Sequence, residues 1–147
     1  MSHIRQQIRE AVATAVTGLA CGATVYESRV YDLPKATTLA LIVDCGDEAI
    51  EYTTMTAPRT VQAELEVKIQ ALVINATSPE DSRDTLLKEV QVALASNDLS
   101  GVLKGVGLTL EGVETAYEDE AETRMMMSEM TWLAVYHFAE NDPETAL

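Results

Sequence analysis

Carboxylates are the residues of this sequence with the clearest potential for chemistry. Six of them crowd one segment that contains no Lys or Arg: Glu111, Glu114, Glu118, Asp119, Glu120 and Glu122. Carboxylate oxygens are hard ligands of the kind that Ca²⁺ binds, but a calcium loop needs acids at alternate positions around a glycine, and that spacing is absent. We expect a solvated acidic loop across residues 114–122, with an acidic surface that has its own task as the alternative. No metal site is predicted.

Nucleophilic catalysis is not indicated by the remaining reactive residues. His3 and His137 lie at opposite ends of the sequence, and Cys21 and Cys45 have apolar neighbours typical of small buried thiols. No Cys or His pair has the spacing of zinc ligands, and no serine has the glycine-flanked setting of a nucleophile elbow. We therefore predict a protein that is not an enzyme and that uses no cofactor or metal.

The net charge limits the partners of the chain. A formal charge of −14 over 147 residues, with a pI near 4.3, disfavours binding to a nucleic-acid backbone, which requires clustered Lys and Arg. The N-terminal residues are charged where a signal peptide would be apolar, and no apolar run has the length of a membrane span. These features predict a soluble protein made in the cytoplasm.

Two unusually long alternating segments must position these side chains. Residues 60–75 and 124–138 alternate apolar and polar or mixed side chains with the period of a β-strand. At about 3.3 Å per residue each would extend roughly 50 Å, whereas a domain of this length is only about 40 Å across. The strands therefore either bend or extend past the core to meet another chain; two shorter strands fused to alternating loops are the alternative.

The other elements follow from capping and periodicity signals. Ser2 predicts the N-cap of a first helix, and Ser78 followed by Pro79 predicts the start of a second. Residues 24–30 and 39–43 predict short strands, with a hairpin arm in the polar stretch that follows.

A final pair of strands completes the predicted sheet. An alternating run begins near Leu108, and Gly112 shifts the alternation, which predicts a β-bulge. The predicted fold class is α+β: a mainly antiparallel sheet of about five strands, two of them long, with two helices packed on one face. Residues 1–140 are assigned to a single domain and 141–147 to a short polar C-terminal tail.

Clustered methionines suggest a contact surface. Met125 to Met127 have charged residues on both sides, and methionine serves either as core filler or on adaptable interfaces. We predict that Met125 and Met127 lie at the edge of a subunit interface.

Three segments carry a resemblance to a known family. They are VYESRVY at residues 25–31, the apolar run at 39–43 followed by Asp47 and Glu48, and TWLAVY at residues 131–136. With the order of elements, they make the chain similar to the phage tail terminator family, the group that includes the lambda-type minor tail protein U. The resemblance extends from the first helix to the last strand.

The resemblance implies a structural role in a virion. Such a protein would form a homohexameric ring on the head-proximal end of a tail tube, stop tube polymerisation and present the surface for head-tail joining. Its partners would be copies of itself, the tail tube protein and a head-tail connector protein. DNA would pass through the ring without specific binding, no membrane would be involved, and the ring would be assembled in the host cytoplasm.

The resemblance also implies roles for particular residues. The subunit seams would require basic residues to offset the acidity of the copies. The candidates are Arg29, Arg59 and Arg124 at the seams, Glu118, Asp119, Glu120 and Glu122 facing the channel, and a tube or connector contact loop with Asp47, Glu48, Glu51 and Tyr52.

Three alternatives remain open from the sequence. Another head-tail connector or neck protein of similar fold would share the acidity and the lack of motifs. A small-ligand-binding or enzymatic domain would use carboxylates in a cleft beneath the sheet. A cytoplasmic assembly chaperone would use an acidic, methionine-containing surface to shield a tail protein.

Overall fold

Helices and strands are interleaved along the chain. The computed structural model describes residues 3–19, 24–26, 39–74, 79–95, 108–120 and 123–144. The elements are α1 (Ile4–Ala15), β1 (Thr24–Tyr26), β2 (Leu39–Tyr52), β3 (Thr60–Ile74), α2 (Pro79–Leu94), β4 (Leu108–Glu120) and β5 (Thr123–Ala139).

The five strands form one sheet in the order β1-β2-β3-β5-β4. The short β1 runs parallel to β2, and every other neighbouring pair is antiparallel. The central pair, β3 and β5, stays in register from Thr60 opposite Ala139 to Ile74 opposite Met125. The predicted α+β class with a mainly antiparallel sheet is confirmed, and the two long alternating segments are its central strands.

Both helices cover one face of the sheet, here called the helix-covered face. Odd positions of β3 and even positions of β5 lie on this face because side chains alternate along a strand. The core joins them to the apolar stripes of the helices; its helical members are Ile4, Ile8, Val12, Ala13 and Val16 of α1 and Leu86, Val90 and Leu94 of α2. Burial of these stripes is the main favourable contribution to stability.

The opposite face of the sheet is more polar and is here called the open face. Even positions of β3 such as Gln62, Glu64 and Lys68 are exposed or half-buried on it. Towards one end, Ala40, Ile42 and Leu72 are buried in a small second cluster.

Two β-bulges extend the sheet further than the sequence pattern suggested. The bulge that Gly112 predicted is confirmed, since the register shifts between Leu110 and Gly112. A second bulge, between Cys45 and Glu48, was not predicted. Each inserts one residue, which reverses the phase of the alternation and hides the continuing strand in the sequence.

The bulges explain two corrections to the sequence analysis. The segment predicted as a contact loop, from Asp47 to Tyr52, is the second half of β2 and pairs with β3. The acidic connection predicted across residues 114–122 is strand β4 as far as Glu120.

The first helix begins at Ile4, and its N-cap is His3 rather than the predicted Ser2. The His3 Nδ1 accepts a hydrogen bond of 3.1 Å from the backbone N–H of Arg5. The orphan N–H of Ile4 donates to the carbonyl of Pro143 at 3.0 Å, and the Gln7 side chain donates to the carbonyl of Glu144 at 2.7 Å. The segment after β5 thus closes the free end of α1.

Candidate interaction site

The loop between β2 and β3 is held by its own hydrogen bonds. Backbone N–H groups of Thr53 and Glu140 donate to the carbonyls of Thr60 and Arg59 at 2.9 and 2.8 Å. The Thr54 hydroxyl accepts from the N–H of Thr60 at 2.9 Å. Side chains on this loop are therefore displayed from an ordered backbone, which reduces the entropy lost when they bind a partner.

Large apolar side chains are exposed at this end of the hairpin. Ile50, Tyr52 and Met55 expose 49%, 54% and 96% of their surface. Ile50 and Tyr52 pair with Ala63 and Val61, so they lie on the helix-covered face, yet neither helix shields them. Contiguous exposed apolar residues of this kind typically mark an interaction site.

A basic residue, Arg59, lies next to these apolar side chains. The guanidinium carbon of Arg59 lies 5.3 Å from the centroid of the Tyr52 ring, which is a cation–π contact. In the part of the chain that the structure describes, the ion pairs do not include Arg59. Residues 52–60 contain no acid, although the chain as a whole carries a charge of −14. We call Ile50, Tyr52, Met55 and Arg59 the hairpin tip.

A buried polar cluster anchors the base of the same hairpin to α1. The Tyr136 hydroxyl donates a hydrogen bond to Glu48 Oε1, and Arg5 Nε lies 3.3 Å from Glu48 Oε2. Arg5 also donates to the carbonyl of Gly46, and the Cys45 thiol donates to the carbonyl of Arg5 at 3.8 Å. The bulge turns Glu48 to the helix-covered face, where its carboxylate is largely shielded and is paired within the chain. Its role in a tube or connector contact stays a prediction.

The cluster shifts the pKa of two of its groups upwards. Burial raises the pKa of Tyr136 above its ordinary value of 10.0, and the hydrogen bond to the Glu48 carboxylate adds to this shift because ionisation would remove the donated proton. Burial likewise raises the pKa of the Cys45 thiol, which the Arg5 charge lowers in part.

The stability of the protein should therefore decline at alkaline pH. A group with a raised pKa in the folded state contributes stability that is present below its unfolded pKa and is lost as pH rises through the folded pKa. We expect the free energy of unfolding, measured by urea titration, to fall as pH rises above about 10. Tyr136→Phe should flatten this decline, whereas Tyr52→Phe at an exposed ring should not. An equal slope in wild type and Tyr136→Phe would contradict the assignment.

Other predicted site residues have different surroundings. Met127 is half-buried against the second cluster of Ala40, Ile42 and Leu72, so it packs partly within its own subunit rather than forming a free interface edge. Asp47 and Glu51 are exposed on β2. Arg29 and Glu122 lie outside the described residues.

The predicted seam and channel residues of the last two strands occupy one β-hairpin. Arg124 and Met125 in β5 pair with Asp119 and Glu118 in β4, and Glu120 pairs with Thr123. The sequence had assigned them to a loop and a strand, and the structure places them on two paired strands.

The described residues include a groove on the β2–β3 hairpin. It has a volume of about 250 Å³ and is lined by Ala49, Ile50, Glu51, Gln62 and Glu64. Within the described residues, no group of three or more His, Cys, Asp and Glu side chains is arranged to hold a metal ion. No helix in these parts of the chain is long and apolar enough to cross a membrane.

Comparison with known proteins gives matches in structure but not in sequence. No protein-family model matches the sequence, and no curated protein is significantly similar to it. A chain in the virion of a native gene transfer agent (GTA) particle is similar in structure, with a TM-score of 0.42 and 19% sequence identity over 90% of this chain and 92% of that chain.

Proposed function

We propose that this protein is a structural component of a phage-type virion and acts as a tail terminator rather than an enzyme. Copies of it form a homohexameric ring on the head-proximal end of the tail tube. The ring stops tube polymerisation and presents the surface to which the head-tail connector joins. The proposal rests on the resemblance of the sequence to this family and on the exposed hairpin tip.

The hairpin tip is the observation that carries this proposal. Three large exposed apolar side chains and an Arg without a carboxylate partner among the described residues lie at this end of the hairpin. Ile50 and Tyr52 are on β2, and Met55 and Arg59 are on the loop that follows it. Exposure of such a group is unfavourable in an isolated soluble protein, since it promotes nonspecific association. A protein whose task is assembly with other copies and with a tube has a use for it.

The strong acidity of the chain supports a ring through which DNA passes. Glu111 and Glu114 are exposed on β4, and the acidic run continues along that strand to Glu120. A negatively charged surface repels phosphates, so DNA would slide past it without binding. We propose that the channel lining is the far end of β4, which carries Glu118, Asp119 and Glu120, rather than the part of the strand at Glu111.

The proposal is tested by tube assembly. When the tail tube protein encoded with this chain polymerises in its presence, tubes should reach a limited length and carry a cap of density at one end in negative-stain micrographs. Met55→Asp should reduce capping at least tenfold because it places a charge within the apolar contact. Val92→Asp makes the same change at another exposed apolar position, on α2, and should cap normally.

Two outcomes would count against a terminator. Tubes that grow to the same lengths with and without excess wild-type protein would exclude the stopping function. Binding to DNA-filled heads without any binding to tubes would instead identify a neck or connector protein on the head side of the joint.

A further inference from the structure

A second exposed patch lies at the opposite edge of the sheet from the hairpin tip. Strand β4 is the outermost strand on that side, and its Val113 exposes 41% of its surface. Val113 pairs with Met130, so it lies on the helix-covered face, as do Ile50 and Tyr52 of the hairpin tip. Glu111 lies two residues before Val113 and is exposed, whereas Glu114 pairs with Glu129 and therefore lies on the open face. We call Glu111 and Val113 the β4 patch.

The two patches are complementary in chemistry. The hairpin tip offers large apolar side chains and the positive charge of Arg59, without an acid in residues 52–60. The β4 patch offers an exposed apolar side chain, Val113, next to the exposed carboxylate of Glu111. In a chain of net charge −14, a contact between copies needs a surface of positive charge, and of the two patches only the hairpin tip provides it.

Main-chain pairing between copies is disfavoured at these edges. Beyond Ile42, β2 has no partner on the β1 side within the described residues, so residues 43–52 form one free edge, and β4 forms the other. The first carries exposed Asp44, Asp47 and Glu51, and the second carries Glu111 and Glu114. Charged residues on edge strands prevent strand addition, and two acidic edges repel each other. Side-chain docking is the mode that remains compatible with the charges.

We propose that the hairpin tip of one copy docks on the β4 patch of a second copy. Met55 and Tyr52 would cover Val113, and Arg59, which lies over the Tyr52 ring, would pair with Glu111. Because the two surfaces differ and lie at opposite edges of the sheet, the contact is head-to-tail, which produces a ring when the rotation closes. The docking itself is argued from the two surfaces alone. That this contact is the seam between subunits of a tail ring rests on the proposed function.

A charge-swap experiment tests the docking. The dissociation constant for self-association is measured by sedimentation equilibrium at physiological salt, on the full chain and up to about 1 mM. Arg59→Glu and Glu111→Arg should each weaken association about tenfold or more, since each places like charges opposite one another. The double variant should return to within about threefold of wild type, because the pair is restored with its signs exchanged.

Matched control variants distinguish the loss of this contact from the effect of a changed net charge and from the effect of misfolding. Lys88→Glu on α2 changes the net charge as Arg59→Glu does, and Glu10→Arg on α1 changes it as Glu111→Arg does. Both positions are exposed on helices and should leave association unchanged. Circular dichroism and thermal unfolding of every variant report whether the fold is kept. Because β4 patch residues lie on a free edge, their substitution should not unfold the sheet.

The possible outcomes are distinct. Lack of self-association up to the highest concentration, or a double variant as weak as the single variants, would overturn the docking. If the wild-type protein caps tubes but the double variant does not regain self-association, the proposed function stands and the copies contact each other through a different surface. If the double variant regains self-association but the wild-type protein does not cap tubes, the docking stands and the tail terminator proposal fails.

Discussion

Leu65→Ala is expected to lower the free energy of unfolding by about 3–5 kcal/mol. Leu65 lies in the middle of the central strand β3, is fully buried on the helix-covered face, and pairs with Glu48 on one side and Ala134 on the other. Its truncation removes apolar contacts and leaves a cavity between two antiparallel strands that are held in register and cannot easily collapse. Urea denaturation monitored by circular dichroism measures the change.

The exposed Val92 on α2 provides the control for this substitution. Val92→Ala removes apolar atoms from a side chain that is 71% exposed and should alter stability by no more than about 0.5 kcal/mol. A loss below about 1 kcal/mol for Leu65→Ala would mean that β3 is not the centre of the core.

Glu48→Ala is the second substitution for which we expect a large effect, about 2–3 kcal/mol of lost stability. It removes the acceptor of the buried Tyr136 hydroxyl and the partner of Arg5 together. Leaving a buried donor without an acceptor costs its full desolvation, which exceeds the net value of the bond itself. Asp47→Ala removes the same charge from the neighbouring exposed residue and should change stability by less than about 0.5 kcal/mol.

A double-mutant cycle attributes the loss to the hydrogen bond. Glu48→Ala, Tyr136→Phe and their combination are compared in the same urea titrations. We expect a coupling energy of about 1–3 kcal/mol, as is usual for residues in direct contact. Additive effects would show that the two side chains stabilise the protein separately.

The sequence predicted the central strands well because burial and alternation coincide there. On β3 and β5, one set of alternate residues packs against the helices, so a strand with period two is visible directly. Beyond its bulge, β2 is exposed on both faces from Ala49 to Tyr52, and β4 is exposed from Glu111 to Ala116. Hydrophobic patterning reports burial rather than hydrogen bonding, so the paired but exposed part of β4 was interpreted as a loop, and this part of β2 only as a hairpin arm within a contact loop.

The candidate site was predicted residue by residue but not as a unit. Tyr52 and Arg59 were each singled out, but their contact depends on a loop conformation that no periodicity encodes. Met55 was missed, although a large apolar residue in an otherwise small and polar turn is an available signal. Glu48 was assigned to the surface because a single inserted residue decides which face it occupies, and that insertion leaves no mark in composition.

The hydrogen bond between Ile4 and Pro143 brings the two ends of the described chain together. A tag or fused domain added at either end would therefore emerge from nearly the same point on the surface, and moving it from one end to the other would not change what it obstructs. Neighbouring ends also make the fold a suitable candidate for circular permutation, in which a short linker joins them and the chain is reopened elsewhere. Reopening it between β2 and β3 would cut the hairpin tip while keeping the strands, which would separate the ability to fold from the ability to assemble.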